Sequence, residues 1–308
     1  MNMVQYGVWS NCCNACSFCL REERIPYSKE KQLKSLNFIK ENIKTIDWEN
    51  KFSYGVSLLG GELYYITDKE LQDAFMELIE TIIQYVLKVS KNPICKYSTV
   101  TNGIYDPAFL YRVIDRIVEE VGIGKVDVNF SYDLKYRYKD EATANLVLQN
   151  IKEFGKRYNY KTGVQMILTQ YVINEWKKKR FKVSDFIQEK LDGNASLAFL
   201  YPHPIATGIN LKDFFFNRSD LFEFLLDLKT DCYNSYYSFM MSTKNSCVFK
   251  YTGGKNKTFT DTNEEPVLAD GKEIINPNCG HSTLYQCYAD TDDCLLCDLE
   301  LFDEELLL

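Results

Sequence analysis

Eleven cysteines stand in this 308-residue chain, and their spacing is its first chemical signal. Four fall in one short run, Cys12-Cys13-Asn14-Ala15-Cys16-Ser17-Phe18-Cys19, and four more near the end of the chain, at Cys279, Cys287, Cys294 and Cys297. The first run offers three thiolates in either of two registers, Cys12-x3-Cys16-x2-Cys19 or Cys13-x2-Cys16-x2-Cys19. Three is informative. A structural zinc closes with four ligands, whereas a 4Fe-4S cube held by three thiolates keeps one iron open to an outside ligand. Sulfur softness by itself suits both metals. The later run, ending in Cys294-x2-Cys297, is a complete tetrathiolate set that fits a structural zinc or a second 4Fe-4S cluster. No basic stretch followed by an apolar one opens the chain, so the cysteines point to metal ligation in a reducing cytoplasm rather than to disulfides.

The elements that would position these thiols alternate in type. Strands are expected at Met3–Trp9, Tyr54–Leu59, Cys95–Thr101, Lys125–Tyr132, Gly163–Leu168 and Leu197–Tyr201. Helices are expected at Ser28–Ile46, Asp68–Val89 with Asp68 as N-cap, Asp106–Val121 with Pro107 at its first position, Glu141–Tyr158 and Val183–Leu191. One further aromatic-rich helical stretch is expected from Ser219 to Met240. This order means βαβ crossovers and a parallel sheet, either doubly wound or curved into a partial barrel, with ligands at the carboxyl ends of the strands in both cases. The polar turn motifs fall at those ends: the cysteine loop, Gly60-Gly61-Glu62, Thr101-Asn102-Gly103 and Ser131-Tyr132-Asp133. The composition changes after Ser242, which places a soft boundary between a domain spanning 1–241 and a cysteine-rich extension spanning 242–308.

Composition narrows the function classes. An apolar content of 45% and an aromatic content of 14% argue against disorder, and no apolar run approaches the roughly 20 residues a membrane span requires. The net charge of −7 disfavours general nucleic-acid binding, which needs clustered Lys and Arg, while leaving room for one local RNA or nucleotide contact. Lys177-Lys178-Lys179-Arg180 is the one strong basic run; a solvated helix face or loop is its default reading, and a phosphate or acidic partner the sharper one.

With these motifs in order, the sequence resembles the radical S-adenosylmethionine (SAM) enzyme superfamily. The match is Cys-x3-Cys-x-aromatic-Cys with Phe18 as the aromatic, then Gly60-Gly61-Glu62 closing the second strand, Asn102 closing the third, and Ser131 with Asp133 closing the fourth. The resemblance covers about residues 3 to 205. It implies a partial (β/α)6 barrel and selects Cys12, Cys16 and Cys19 as ligands of a 4Fe-4S cluster, with Cys13 spare. It also implies that Phe18 packs on adenine, that Gly60, Gly61 and Glu62 meet the amino group of SAM, that Asn102 contacts SAM or substrate, and that Ser131 and Asp133 meet ribose hydroxyls. Gly60 and Gly61 would then lack side chains because a ligand lies against the backbone.

The tail, Cys279, Cys287, Cys294 and Cys297, resembles the SPASM or twitch extensions of radical SAM enzymes that act on peptides. It departs from their usual spacing. An auxiliary 4Fe-4S cluster and a structural zinc both remain open for it, with Cys247 or His281 as further candidate ligands. The expected activity is reductive cleavage of SAM and hydrogen abstraction from a peptide or protein side chain, fed by a reductant such as flavodoxin or ferredoxin. The alternatives are an RNA, nucleotide or small-molecule radical SAM enzyme with a zinc tail, and a non-catalytic zinc-binding protein. Cys95 and Cys232 read as small core residues, and His203, between Pro202 and Pro204, as a turn residue or substrate contact.

Overall fold

A computed structural model describes residues 3–14, 16, 26–50, 54–135, 137–200, 217–246 and 260–261. Among the described residues the first six strands in chain order are β1 (Val4–Gly7), β2 (Gly55–Leu59), β3 (Lys96–Thr101), β4 (Val126–Ser131), β5 (Thr162–Ile167) and β6 (Ala195–Leu200). The intervening helices are α1 (Lys29–Thr45), α2 (Lys69–Ile82), α3 (Ala108–Val121), α4 (Glu141–Tyr158), α5 (Gln170–Lys177) and the short α6 (Val183–Asp185). After β6 come α7 (Arg218–Asp231), α8 (Tyr233–Ser246) and a two-residue strand, β7 (Thr260–Asp261).

All strand pairs are parallel, in the order β6-β5-β4-β3-β2-β1-β7. β1 to β6 therefore follow one another without reversal. A doubly wound sheet needs a reversal to create its switch point, so this order is that of an α/β sheet compatible with a partial barrel. Right-handed crossovers repeated in one direction set successive helices on the same face of the sheet.

The register separates two faces. Tyr6, Val56, Leu58, Tyr97, Thr99, Val128, Phe130, Val164, Met166, Leu197 and Phe199 are all buried and fall in one set of aligned partners. They share a core with Leu36, Ile39, Phe75, Val113, Ile114 and Ile151 from the helices. The opposite face carries small and polar residues: Ser57, Ser98, Asp127, Asn129, Ser131, Gln165 and Ser196. In β4 and β5 every residue on that face is half-buried while its neighbours along the strand are buried. This second face is the more polar of the two, although Leu59, Val100, Ile167 and Leu200 also lie on it.

Local signals explain the boundaries. Ser28 caps α1 by accepting the Lys31 N–H, Asp68 caps α2 through Leu71, and Asp140 caps α4 through Thr143. Asn159 ends α4 in the left-handed region, which Asn tolerates better than most residues. Three expectations change. Pro107 is the cap of α3 rather than its first residue, with Asp106 bonded to the Ala108 N–H. α5 is an additional helix, capped by Thr169 and anchored by the buried Val172 and Ile173. The single stretch expected over 219–240 is two helices, broken where Cys232 leaves helical backbone geometry. The break turns α8 onto the edge of the sheet, where the buried Ser235 hydroxyl donates to the Leu197 carbonyl of β6 at 2.6 Å. α8 runs through Ser246, past the compositional change at 242, and beyond it the chain returns to add β7 beside β1, with Tyr6 aligned to Thr260.

Candidate functional site

The carboxyl ends of β1 to β5 meet around the first cysteine run. β1 leads through the buried Val8 and Trp9 into Ser10, Asn11, Cys12 and Cys13. The turn after β2 grips that loop: the Gly61 N–H donates to the Trp9 carbonyl at 2.8 Å and the Glu62 N–H to the Asn11 carbonyl at 2.7 Å. In return the Trp9 indole N–H donates to the Glu62 carbonyl. A Cβ on Gly61 would stand 2.0 Å from the Asn11 carbonyl oxygen and 2.6 Å from that of Ser10. The missing side chain at Gly61 is thus required by the cysteine loop itself. At Gly60 the obstacle is the flexible end of Leu63, 2.3 Å away.

Glu62 is only 2% exposed, and its carboxylate turns inward. One oxygen accepts the Asn102 N–H at 2.7 Å; the other accepts from the Thr101 hydroxyl at 3.1 Å and the Tyr64 N–H at 3.2 Å. The carboxylate set beside a ligand ammonium by the resemblance is committed here to donors of the protein, tying the ends of β2 and β3 together. Burial pushes its pKa up to about 7, against the pull of these three hydrogen bonds.

Asn102 connects this tie to the thiols. Its side-chain amide lies 3.6 Å from the sulfurs of both Cys12 and Cys13, while its own oxygen accepts the Ile104 N–H. The Asn14 N–H donates to the Cys12 sulfur at 3.4 Å. A hydrogen bond from Cys13, helped by Asn14, Asn102 and the charge of Arg137, draws the thiol of the exposed Cys12 down to about 6, against partial desolvation. The same bond, together with burial, moves Cys13 upward.

Cys16 has its own donors. The Asn14 side-chain amide lies 3.2 Å from its sulfur and also donates to the Arg137 carbonyl at 3.0 Å, and an Arg137 guanidinium nitrogen lies 3.6 Å from the same sulfur. That guanidinium is paired with Asp133, whose second oxygen accepts the Ile167 N–H of β5 at 2.8 Å. Both side chains are nearly enclosed, at 11% and 5% exposure. Burial raises the Asp133 carboxyl even beside the guanidinium. Asp133, assigned to ribose by the resemblance, is therefore occupied by Arg137. Ser131 lies on the polar sheet face, and its carbonyl accepts from the Tyr138 hydroxyl at 3.1 Å.

Sequence reasoning missed Arg137 and Asn14. Arg137 stands four residues after Asp133, the one available signal, but that spacing is commonplace outside a helix. Of the expected site residues, Cys12, Cys16, Gly60, Gly61, Glu62, Asn102, Ser131 and Asp133 come together at these strand ends. Phe18 and Cys19 lie outside the described residues, as do Cys247, Cys279, Cys287, Cys294, Cys297, His203 and His281. Among the described residues no group of three or more His, Cys, Asp or Glu side chains is set to hold a metal ion. The chemistry of the donor set suits a thiolate-bound metal group, iron–sulfur or zinc: two cysteines of the expected set, with N–H donors aimed at the sulfur of each.

Cys95 is a fully buried core residue, as expected, whereas Cys232 is only half-buried at the α7–α8 break, its sulfur 3.1 Å from the Ser235 hydroxyl. The basic run closes α5, with Lys177 paired to Asp220 and Lys178 to Glu175. No helix among the described residues is long and apolar enough to cross a membrane.

No model of a known protein family matches the chain, and no curated protein is similar enough to count as a relative.

Proposed function

We propose that this chain is a cytoplasmic radical SAM enzyme, with a barrel domain that runs on through α8 to Ser246 and a metal-binding extension carried by the cysteines after it. The observation that supports this best is the convergence at the strand ends. The cysteine loop after β1 is packed on Gly61, and Asn102, Asn14 and Arg137 direct N–H groups at the sulfurs of Cys12 and Cys16. Such donors stabilise thiolate ligands, and a rigid backing keeps them in place.

Cys12, Cys16 and Cys19 would hold a 4Fe-4S cluster, with Cys13 spare. When bound, that group supplies one electron for cleavage of the SAM sulfonium bond, which starts hydrogen abstraction from substrate. The residues of the chain do the rest. Gly60 and Gly61 let the loop and turn close on one another. Glu62 locks the turn to β3, and the backbone carbonyls of Gly60 and Gly61 would meet the SAM amine. Ser131, Asn129 and Gln165, on the polar sheet face, are the side chains offered to ribose hydroxyls and substrate. The tail cysteines favour a peptide or protein substrate, and a flavodoxin or ferredoxin would deliver the electron.

Anaerobic purification followed by iron, acid-labile sulfide and zinc analysis tests this reading. Iron with sulfide is expected, with SAM-dependent formation of 5′-deoxyadenosine under dithionite. Cys12→Ala and Cys16→Ala should each abolish 5′-deoxyadenosine formation and lower the iron content by about the four atoms of one cube, while Cys13→Ala keeps both. Zinc alone would turn the chain into a zinc-binding protein and end the proposal.

A further inference from the structure

Arg137 presents a combination that the proposed chemistry does not by itself require. It is a buried cation that reaches a cysteine sulfur across 121 positions of sequence. Its position is held from two sides: the Asp133 carboxylate accepts its Nε–H, and the Asn14 amide, itself 3.2 Å from the Cys16 sulfur, donates to its backbone carbonyl. Asp133 is fixed in turn by the Ile167 N–H at the end of β5. The pair is thus oriented, with its positive end on Cys16 and its negative end on β5.

We infer that the Arg137–Asp133 pair is a positioning device that sets the reduction potential of the cluster held by Cys16. The inference rests on the radical SAM reading. The couple concerned takes one electron from an external low-potential donor, with no bond made or broken and no proton moved. That electron adds negative charge to the cluster and its thiolates. A guanidinium and an amide N–H beside one of those sulfurs stabilise the added charge more than the oxidised state, and burial keeps water from screening them. The Asp133 carboxylate acts in the opposite sense but sits behind the guanidinium, so its contribution is the smaller of the two.

Charge neutralisation at the two positions must then move the potential in opposite directions. Arg137→Gln removes the cation from beside the sulfur, so reduction becomes harder. Asp133→Asn leaves the cation unopposed, so reduction becomes easier. Arg137→Lys keeps the charge and stays closest to the parent.

The test is a dithionite titration of the full-length protein, reconstituted anaerobically without SAM and followed by electron paramagnetic resonance. Any signal persisting in the Cys12, Cys16 and Cys19 triple alanine variant belongs to the tail and is subtracted. At the parent midpoint, the reduced-to-oxidised ratio is expected to fall about tenfold in Arg137→Gln, which corresponds to ~59 mV for a one-electron couple. It is expected to rise in Asp133→Asn and to change less than threefold in Arg137→Lys. Full iron content with unchanged midpoints overturns the inference and leaves the radical SAM reading standing. Shifts of the same sign in Arg137→Gln and Asp133→Asn also overturn it, because loosened structure rather than charge would be responsible. So does an Arg137→Gln variant that loses SAM affinity at an unchanged midpoint, which would make Arg137 a ligand contact. Parent protein without iron and sulfide removes the radical SAM reading itself.

Discussion

Gly61 and Asn11 are packed backbone to backbone, so close that a Cβ on the glycine would lie 2.0 Å from the Asn11 carbonyl oxygen. Gly61→Ala must therefore move the loop that carries Cys12 and Cys13. Overpacking of this kind costs about 1–3 kcal/mol, since backbone rather than a side-chain tip has to yield. Gly60→Ala meets a leucine methyl that can rotate and should cost less. Urea unfolding of both metal-free variants checks the order. Equal stabilities would mean that the loop and turn are not in contact.

Glu62 should make stability fall as the solution becomes less acidic. Its pKa rises from the ordinary 4.5 to about 7 on burial. The folded state thus binds the proton more tightly than the unfolded one. The contribution is fully present below pH 4.5 and is lost as pH climbs through 7. The gap corresponds to about 3 kcal/mol over that window. The check is the difference in unfolding free energy between the parent and Glu62→Gln, measured from pH 4.5 to 8. A difference independent of pH would show that the carboxyl titrates normally.

Cys12 should be an unusually reactive thiol in metal-free protein. With the Cys13 thiol donating to it, the Cys12 thiol falls to about 6, so its alkylation by iodoacetamide should reach half its limiting rate near that pH. Cys13→Ala removes the largest cause and should move the midpoint back toward the ordinary thiol range. Peptide mapping of alkylated protein across pH 5 to 9 reads both. A midpoint that stays in place without Cys13 would assign the shift to Asn14, Asn102 and Arg137.

The tail should hold metal of its own. A short segment carrying Cys279, Cys287, Cys294 and Cys297 has little core to build, and ligation would supply the folding energy that burial cannot. The triple variant lacking Cys12, Cys16 and Cys19 should retain about four irons if the tail binds a cluster. It should retain about one zinc and no iron if the tail is structural. Well-folded triple variant with neither metal would leave the four as free thiols and remove the main reason to favour a peptide substrate.

The sequence alone determined what depends on local periodicity and capping. Strands β1 to β6 stand where alternating or continuous apolar runs fall, and Ser28, Asp68 and Asp140 each cap a helix through the backbone N–H three residues on. Burial follows side-chain direction, and side-chain direction repeats with the element, so the pattern is written along the chain. The order of polar motifs at strand ends was legible for the same reason. Tertiary structure alone decided what those motifs touch. Nothing near Gly61 signals that its neighbour is Asn11, 50 positions earlier, nor that Glu62 turns inward to Asn102. Arg137 is one of 36 basic residues until the fold brings the loops after β1 and β4 and the end of β5 together, through Cys16, Asp133 and Ile167. The break at Cys232 belongs with these, because the carbonyl that draws Ser235 in belongs to an edge strand that local sequence does not specify. Such contacts arise from sheet order, a property of the whole chain, and they carry the chemistry of the site.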